Sequence, residues 1–175
     1  FSQLIGSLNM RFINVVIVKP RVKSQKYDVL DTALKYCVQR IENDLNLPAN
    51  PNERFILITD EGRVGKMQAT TRRIQRINYI PSKFSNSAYR QEIRTLIEDP
   101  LPKNSTQSYY IQLCDHVGYL VYLYALMETA VGQYPERLGA VLTPAHITAW
   151  LQYMKPAFNL KASSYNEYGI VFHPK

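Results

Sequence analysis

The sequence predicts an α/β fold with a parallel portion, and three observations point to it. Short apolar runs rich in β-branched residues occur at 12–18, 55–59 and 93–97. Segments with apolar residues at spacings of three and four separate and follow these runs. The order is therefore strand, helix, strand, helix, strand, helix, and such alternation needs crossover connections between parallel strands. A chain of 175 residues with 46% hydrophobic and 20% charged residues has the balance of one folded domain. The expected division is a core over 1–130 and a helical C-terminal extension over 131–175 packed on it.

Phe12 to Val18, F-I-N-V-V-I-V, suits a strand buried on both faces, ended by Lys19-Pro20. Leu30, Leu34, Cys37, Ile41 and Leu45 then mark a helix over 28–45, with Asp28 or Asp31 as its cap. The loop N-L-P-A-N-P-N at 46–52 stops it. Phe55 to Thr59 reads as a second short buried strand, running directly into Asp60-Glu61-Gly62. Met67, Ile74 and Ile77 mark one face of the following helix, with Arg72 and Arg76 on the opposite face. Residues 81–92 are polar and loop-like, and Ile93 to Ile97 alternates as a third strand. Glu98-Asp99-Pro100 closes that strand, and Pro100 and Pro102 prevent its continuation. The most hydrophobic helix spans 109–128, and Thr143-Pro144 caps another through Met154 that carries Trp150. Gly169 to Phe172 suits a final edge strand. The chain begins at Phe1 rather than at a methionine, and a stable sheet needs one more strand, so an N-terminal portion is expected to precede this sequence.

Twenty-one Lys and Arg against fourteen Asp and Glu give +7, unevenly spread. Residues 62–97 hold eight basic residues and one acid, and residues 1–27 hold five basic residues and no acid. A basic band beside an acidic remainder suits a polyanion-binding face, and equally a solvated helix surface. Two cysteines, Cys37 and Cys114, exclude a disulfide framework, and no Cys/His spacing suits structural zinc. No run of 18 apolar residues is present, so no membrane span is expected. Nothing resembles a signal peptide, which makes a reducing cytoplasm the expected location.

Asp60 and Glu61 fall at the C-terminal end of a predicted strand, the edge where open α/β sheets bind ligands. Carboxylates there suit a hard cation such as Mg²⁺ or Mn²⁺, although Asp-Glu-Gly is also ordinary turn chemistry. Asp115 stands in a helix that reads as apolar nearly all round, where an ionised carboxylate needs a partner or a metal. Two-metal phosphoryl-transfer sites gather carboxylates from separate elements around ions about 4 Å apart. Lys103-Asn104-Ser105-Thr106-Gln107 offers lysine, amide and hydroxyl groups to phosphate oxygens, while Ser105 or Ser108 equally suits a helix cap. Cys114 and His116 flank Asp115 but point about 100° apart on a helix, which argues against a cysteine–histidine pair. Gly62, Gly65 and Lys66 lack the spacing of a phosphate-binding loop. Tyr109, Tyr110, Tyr119, Tyr122 and Tyr124 read as packed residues rather than base-stacking ones.

Three stretches in order, F-I-L-I-T-D-E-G-R (55–63), I-E-D-P-L-P-K-N-S-T (97–106) and I-Q-L-C-D-H-V-G-Y (111–119), resemble the bacterial and phage family known as domain of unknown function 3800. The strand ending at Lys19 and the helix carrying Tyr36 and Arg40 fit the same pattern, so the likeness covers about residues 10–128. It implies a ribonuclease-H-like mixed sheet flanked by helices, entered here at the third strand. It further implies a metal-dependent nuclease or related phosphoryl-transfer enzyme, with Asp60 and Asp115 as metal ligands and Glu61 as a third catalytic carboxylate. The family's opening strand, ending Asp-Glu-Ser-Gly, is not in this sequence. The expected ligand is nucleic acid, held by Arg72, Arg73 and Arg76, with Lys103 and Ser105 nearer the scissile phosphate. The alternative is a non-catalytic nucleic-acid-binding or scaffold module. The tyrosine-rich C-terminal half also permits a homo-oligomer interface.

Overall fold

The computed structural model describes residues 1–24, 26–45, 50–76, 79–81, 88–90, 93–139 and 141–174. In chain order the elements are α1 (Ser2–Ser7), β1 (Val15–Ile17), α2 (Val29–Leu45), β2 (Ile58–Asp60), α3 (Val64–Arg76) and β3 (Tyr79–Pro81). There follow β4 (Ala88–Arg90), β5 (Leu101–Lys103), α4 (Tyr109–Thr129), α5 (Glu136–Gly139), α6 (Pro144–Met154) and β6 (Val171–His173). The protein is mixed α/β with short parallel strands. Among the described residues the strands form three separate pairs: β1–β6 and β2–β5 are parallel, and β3–β4 is antiparallel. The chain divides into a terminal unit, Phe1–Tyr27 with Gln112–Lys175, and a central unit, Asp28–Ile111.

In the central unit, Asp28 caps α2, its Oδ1 accepting the Asp31 N–H at 3.1 Å. The helix buries Leu34, Val38, Gln39 and Glu42, whereas Cys37, Ile41 and Leu45 from the expected stripe are half-buried. Thr70, Thr71 and Ile74 of α3 complete a small core with Ile93 and Leu96, against which Phe55, Leu57 and Met67 pack. Glu42 reaches into this core: its Oε1 accepts the Thr95 N–H at 3.1 Å and the Thr95 hydroxyl. Its other oxygen, Oε2, is buried without a hydrogen-bond partner among the described residues, so these bonds offset only part of the cost of burying the group.

The run 55–60 is not the buried strand its composition predicts. Phe55 and Leu57 face the core, while Ile56 and Ile58 stand exposed, Ile58 at 54%. Side chains of a strand alternate between faces, and α2 and α3 cover only one of them. The third strand also differs from expectation. Residues 93–97 contribute one bridge, Leu96 to Phe55, and pairing resumes beyond the Glu98-Asp99-Pro100 turn as β5. Pro102 sits within β5 without breaking it. Leu101 N–H points to Leu57 O at 2.8 Å, so the nitrogen of the next residue faces away from β2 and no ladder bond is lost. The segment read as a loop, 81–92, contains β4 and the last residue of β3, the two strands pairing antiparallel. Residues 46–49 of the first expected loop, Ile77, and 82–87 and 91–92 lie outside the described residues.

In the terminal unit, β1 is shorter than the run 12–18 and half-buried rather than enclosed on both faces. It pairs with β6, Val15 opposite Val171, so the C-terminal run is a strand as read. Helix α4 matches its expected span, and α6 is capped by a reciprocal Thr143–His146 capping box with Pro144 in its first turn. The core joins Ile5 of α1, Val117, Leu120, Leu123 and Tyr124 of α4, and Ile147, Leu151 and Met154 of α6 to Phe158, Tyr168 and Ile170. Helix α1 has no clear signal in the sequence. Gly6 permits its packing, since a Cβ there would lie 2.0 Å from the Tyr153 carbonyl oxygen. Residues 131–175 belong to this unit together with most of α4.

Candidate functional site

The parallel pair β2–β5 assembles the candidate site at its C-terminal end. Its register sets Ile58 opposite Leu101, Thr59 opposite Pro102 and Asp60 opposite Lys103. Directly paired residues in a sheet project to the same face, so Asp60 and Lys103 stand side by side with Ile56, Ile58 and Leu101 beneath them. This is the face that α2 and α3 leave open, and both charged residues are exposed.

The flanking turns add two polar groups. Asn104 caps the 3-10 turn Ser105–Gln107, its Oδ1 accepting the Thr106 N–H at 2.9 Å and the Thr106 hydroxyl at 2.5 Å. That bond fixes the amide, whose Nδ2 donates to Glu61 Oε2 at 3.1 Å. Glu61 is exposed, and one oxygen therefore faces away from this bond. Arg63 follows in the left-handed region with φ of 70°, immediately before α3. Ser105 begins the 3-10 turn, and Ser108 rather than Ser105 is the α4 cap, receiving the Ile111 N–H at a long 3.5 Å.

The arginines of α3 are engaged elsewhere. Arg72 grips Asp99 through Nε, at 3.0 Å and 2.8 Å from the two carboxylate oxygens, and through a further guanidinium nitrogen. This pairing holds the Asp99 carboxyl below its ordinary range, first through the hydrogen bonds and then through the charge itself. Arg73 pairs with Asp31, and Lys66 pairs with Asp28 at 2.8 Å. Arg76 is exposed at the end of the helix and has its own interaction partner. The basic band thus owes two of its arginines and a lysine to clamps on α2 and on the turn before β5.

Asp115 lies in the other compact unit and corrects one expectation. Helix α4 is not apolar all round: Gln112, Cys114, Asp115, Gly118, Tyr119 and Tyr122 form an exposed side opposite the buried Val117, Leu120, Leu123 and Tyr124. The carboxylate is therefore solvated, and the burial argument for a metal there does not hold. Tyrosine packing is corrected likewise. Tyr109, Tyr110, Tyr119 and Tyr122 are exposed, Tyr109 at 83%, and only Tyr124 of the five is buried. Tyr124 instead receives the Asn166 amide at 3.1 Å, and burial raises its phenol to about 12.

Asp60 and Glu61 offer oxygen donors suited to one hydrated hard cation, which keeps several of its waters and takes one or two carboxylates. Among the described residues no three of His, Cys, Asp and Glu gather closely enough to hold a metal ion. The Cys37 thiol is pushed up to about 11 by burial, against the charge of Arg40, which excludes a ready thiolate at that position. A separate cleft of about 410 Å³ in the terminal unit is lined by Phe1, Ser2, Gln3, His116, Trp150 and Tyr153, none singled out from sequence as a site residue. No described helix is long and apolar enough to cross a membrane. No protein-family model, curated protein or solved structure matches the chain.

Proposed function

We propose that this chain contributes a nucleic-acid-processing site of the Mg²⁺- or Mn²⁺-dependent nuclease type, on a ribonuclease-H-like arrangement similar to the domain of unknown function 3800 family. The observation that carries the reading is the placement of Asp60 at the C-terminal end of a parallel strand pair, with Lys103 beside it on the open face. Asp60, with Glu61, would hold a cation at this strand end. A divalent ion bound there supplies charge to stabilise an in-line displacement at phosphorus. Asn104 orients Glu61 through its amide bond, and Lys103 offers a positive charge to a phosphate oxygen.

The test is cleavage of labelled single- and double-stranded RNA and DNA in Mn²⁺ by the wild-type protein, Asp60→Asn and Asp115→Asn. The reading expects cleavage by wild type and its loss in Asp60→Asn. Equal cleavage by wild type and both variants would remove these carboxylates from the reaction. A second reading is favoured by the exposed Lys103 on the open face of β2–β5. On that reading the same end of β2–β5 binds the nucleic-acid backbone without chemistry. Its signature is affinity that falls steeply with salt and needs no divalent ion.

A further inference from the structure

Charge available to a ligand differs from charge counted in a sequence, because a cation locked against a carboxylate within the fold contributes little net field outside it. The described cations of the central unit can be sorted on this basis. Lys66, Arg72 and Arg73 are held by Asp28, Asp99 and Asp31. Arg40 lies over the Tyr36 ring at 5.4 Å, and burial lowers its guanidinium's proton affinity. Arg54 donates to the carbonyl oxygens of Pro51 and Glu53. Arg76 and Arg94 also have partners. Lys35 is half-buried along α2. Two exposed cations with described side chains remain without a hydrogen bond or ion pair: Arg63 and Lys103.

These two flank the same point. Lys103 is the cross-strand neighbour of Asp60, and Arg63 follows Asp60 by three residues, across the turn that opens α3. The exposed, unpaired cations of the described central unit therefore stand at the C-terminal end of β2–β5, beside the Asp60 and Glu61 carboxylates, while Arg72 and Arg73 of α3 are paired within the fold. Asn104, whose Oδ1 is fixed by Thr106, adds a neutral amide at the same edge.

We infer that Arg63 and Lys103 are the anchor for the phosphodiester backbone of a nucleic-acid strand, and that Arg72 and Arg73 are not ligand contacts. This rests on the reading that nucleic acid is the ligand, but it requires neither a metal nor catalysis. It replaces the α3 arginines with a residue, Arg63, that the charge pattern alone does not distinguish from its neighbours. Each phosphate neutralised by a cation releases counterions, so the number of contacts appears in the salt dependence of binding. Arg63 also occupies a backbone conformation that glycine adopts freely, so Arg63→Gly removes the charge without straining the turn.

The experiment measures binding of a labelled 20-nucleotide single-stranded DNA and the matching RNA in EDTA, across a salt series. Four proteins are compared: wild type, Arg63→Gly/Lys103→Ala, Arg72→Ala/Asp99→Ala, and Lys23→Ala/Lys26→Ala. The last removes two cations outside the central unit and matches the first variant in net charge. Removing two backbone contacts should reduce the slope of log affinity against log salt by about 1.4 and weaken low-salt binding about tenfold. The Arg72/Asp99 variant should bind within about twofold of wild type, because its net charge is unchanged. Circular dichroism melts show that each variant is folded. Wild-type binding with an unchanged slope in Arg63→Gly/Lys103→Ala would overturn the inference, as would an equal loss in the Lys23/Lys26 variant. A wild-type protein that binds neither strand would overturn it together with the nucleic-acid reading. Loss of binding in Arg63→Gly/Lys103→Ala without Mn²⁺-dependent cleavage by wild type would sustain the anchor and end the nuclease proposal.

Discussion

The two compact units bury different chemistry. The terminal unit has a continuous apolar core in which α1, α4 and α6 meet, with Leu123, Ile147, Leu151, Met154 and Ile170 wholly buried. Its backbones also approach closely: at Gly169, with φ of 68°, a Cβ would fall 2.2 Å from the Asn159 carbonyl oxygen. Among its described residues the central unit has five buried apolar residues at its core, a buried Glu42 and ion-pair clamps at Asp28, Asp31 and Asp99. It also leaves Ile56, Ile58, Ile97 and Leu101 exposed. Close packing stabilises the first unit. The second relies more on directional and charged contacts, and it carries the free charges of the candidate site.

The difference can be broken most severely in the terminal unit. Leu151→Ala should destabilise by about 2–5 kcal/mol, since the deletion leaves a cavity in a fully packed site. Urea unfolding followed by tryptophan fluorescence reads this directly, because Trp150 is in the same unit. In the central unit the largest effect should come from Glu42→Ala. That change leaves the Thr95 N–H and hydroxyl without their acceptor inside the core, a penalty of about 1–3 kcal/mol. Hydrogen exchange at Thr95 should quicken in this variant, and unchanged protection would show that the carboxylate is not the acceptor.

Smaller still is the effect expected from Arg72→Ala. The pair it breaks with Asp99 is solvent-screened, so the melting temperature should fall slightly at low salt and the difference should fade in about 1 M salt. A large, salt-independent loss would contradict the clamp as a surface pair. The smallest effect concerns acid. Burial holds His173 and His116 below the ordinary imidazole range. Such a histidine is protonated more readily unfolded than folded. Its contribution is therefore complete above about pH 6.5 and is lost as pH falls through the ordinary value toward the lower folded one. Melting temperature should decline from pH 7 to pH 5, and His173→Gln should flatten that decline.

Local signals made part of this legible in sequence. The Thr143-Pro144 cap, the span of α4 and the Asp28 cap follow from neighbouring residues, and the parallel pairs from the alternating order of elements. The apolar spacing of 28–45 gave the helix but misjudged its deepest face, because Glu42 is buried by a partner 53 residues away. Likewise nothing near Arg72 announces Asp99, 27 residues on. A guanidinium available to phosphate and one locked in a clamp look alike in a sequence. The exposed side of α4 was hidden for another reason: tyrosine counts as apolar in a helical stripe, yet its hydroxyl keeps one end of the ring in water. Pro102 illustrates the converse, a strand breaker that is harmless because its nitrogen faces away from β2.

For the site, the run from Phe55 to Glu61 placed two carboxylates at a strand end, and the structure adds the register that sets Lys103 against Asp60. The most direct test of that assembly is Mn²⁺ titration of isotope-labelled protein, followed by paramagnetic broadening of its backbone amide signals. If Asp60 and Glu61 hold the cation, amides of residues 60–63, 101, 103 and 104 should broaden first, and Asp60→Asn should abolish the effect. Broadening confined to other segments, or the same pattern in wild type and Asp60→Asn, would contradict a cation site at the end of β2–β5.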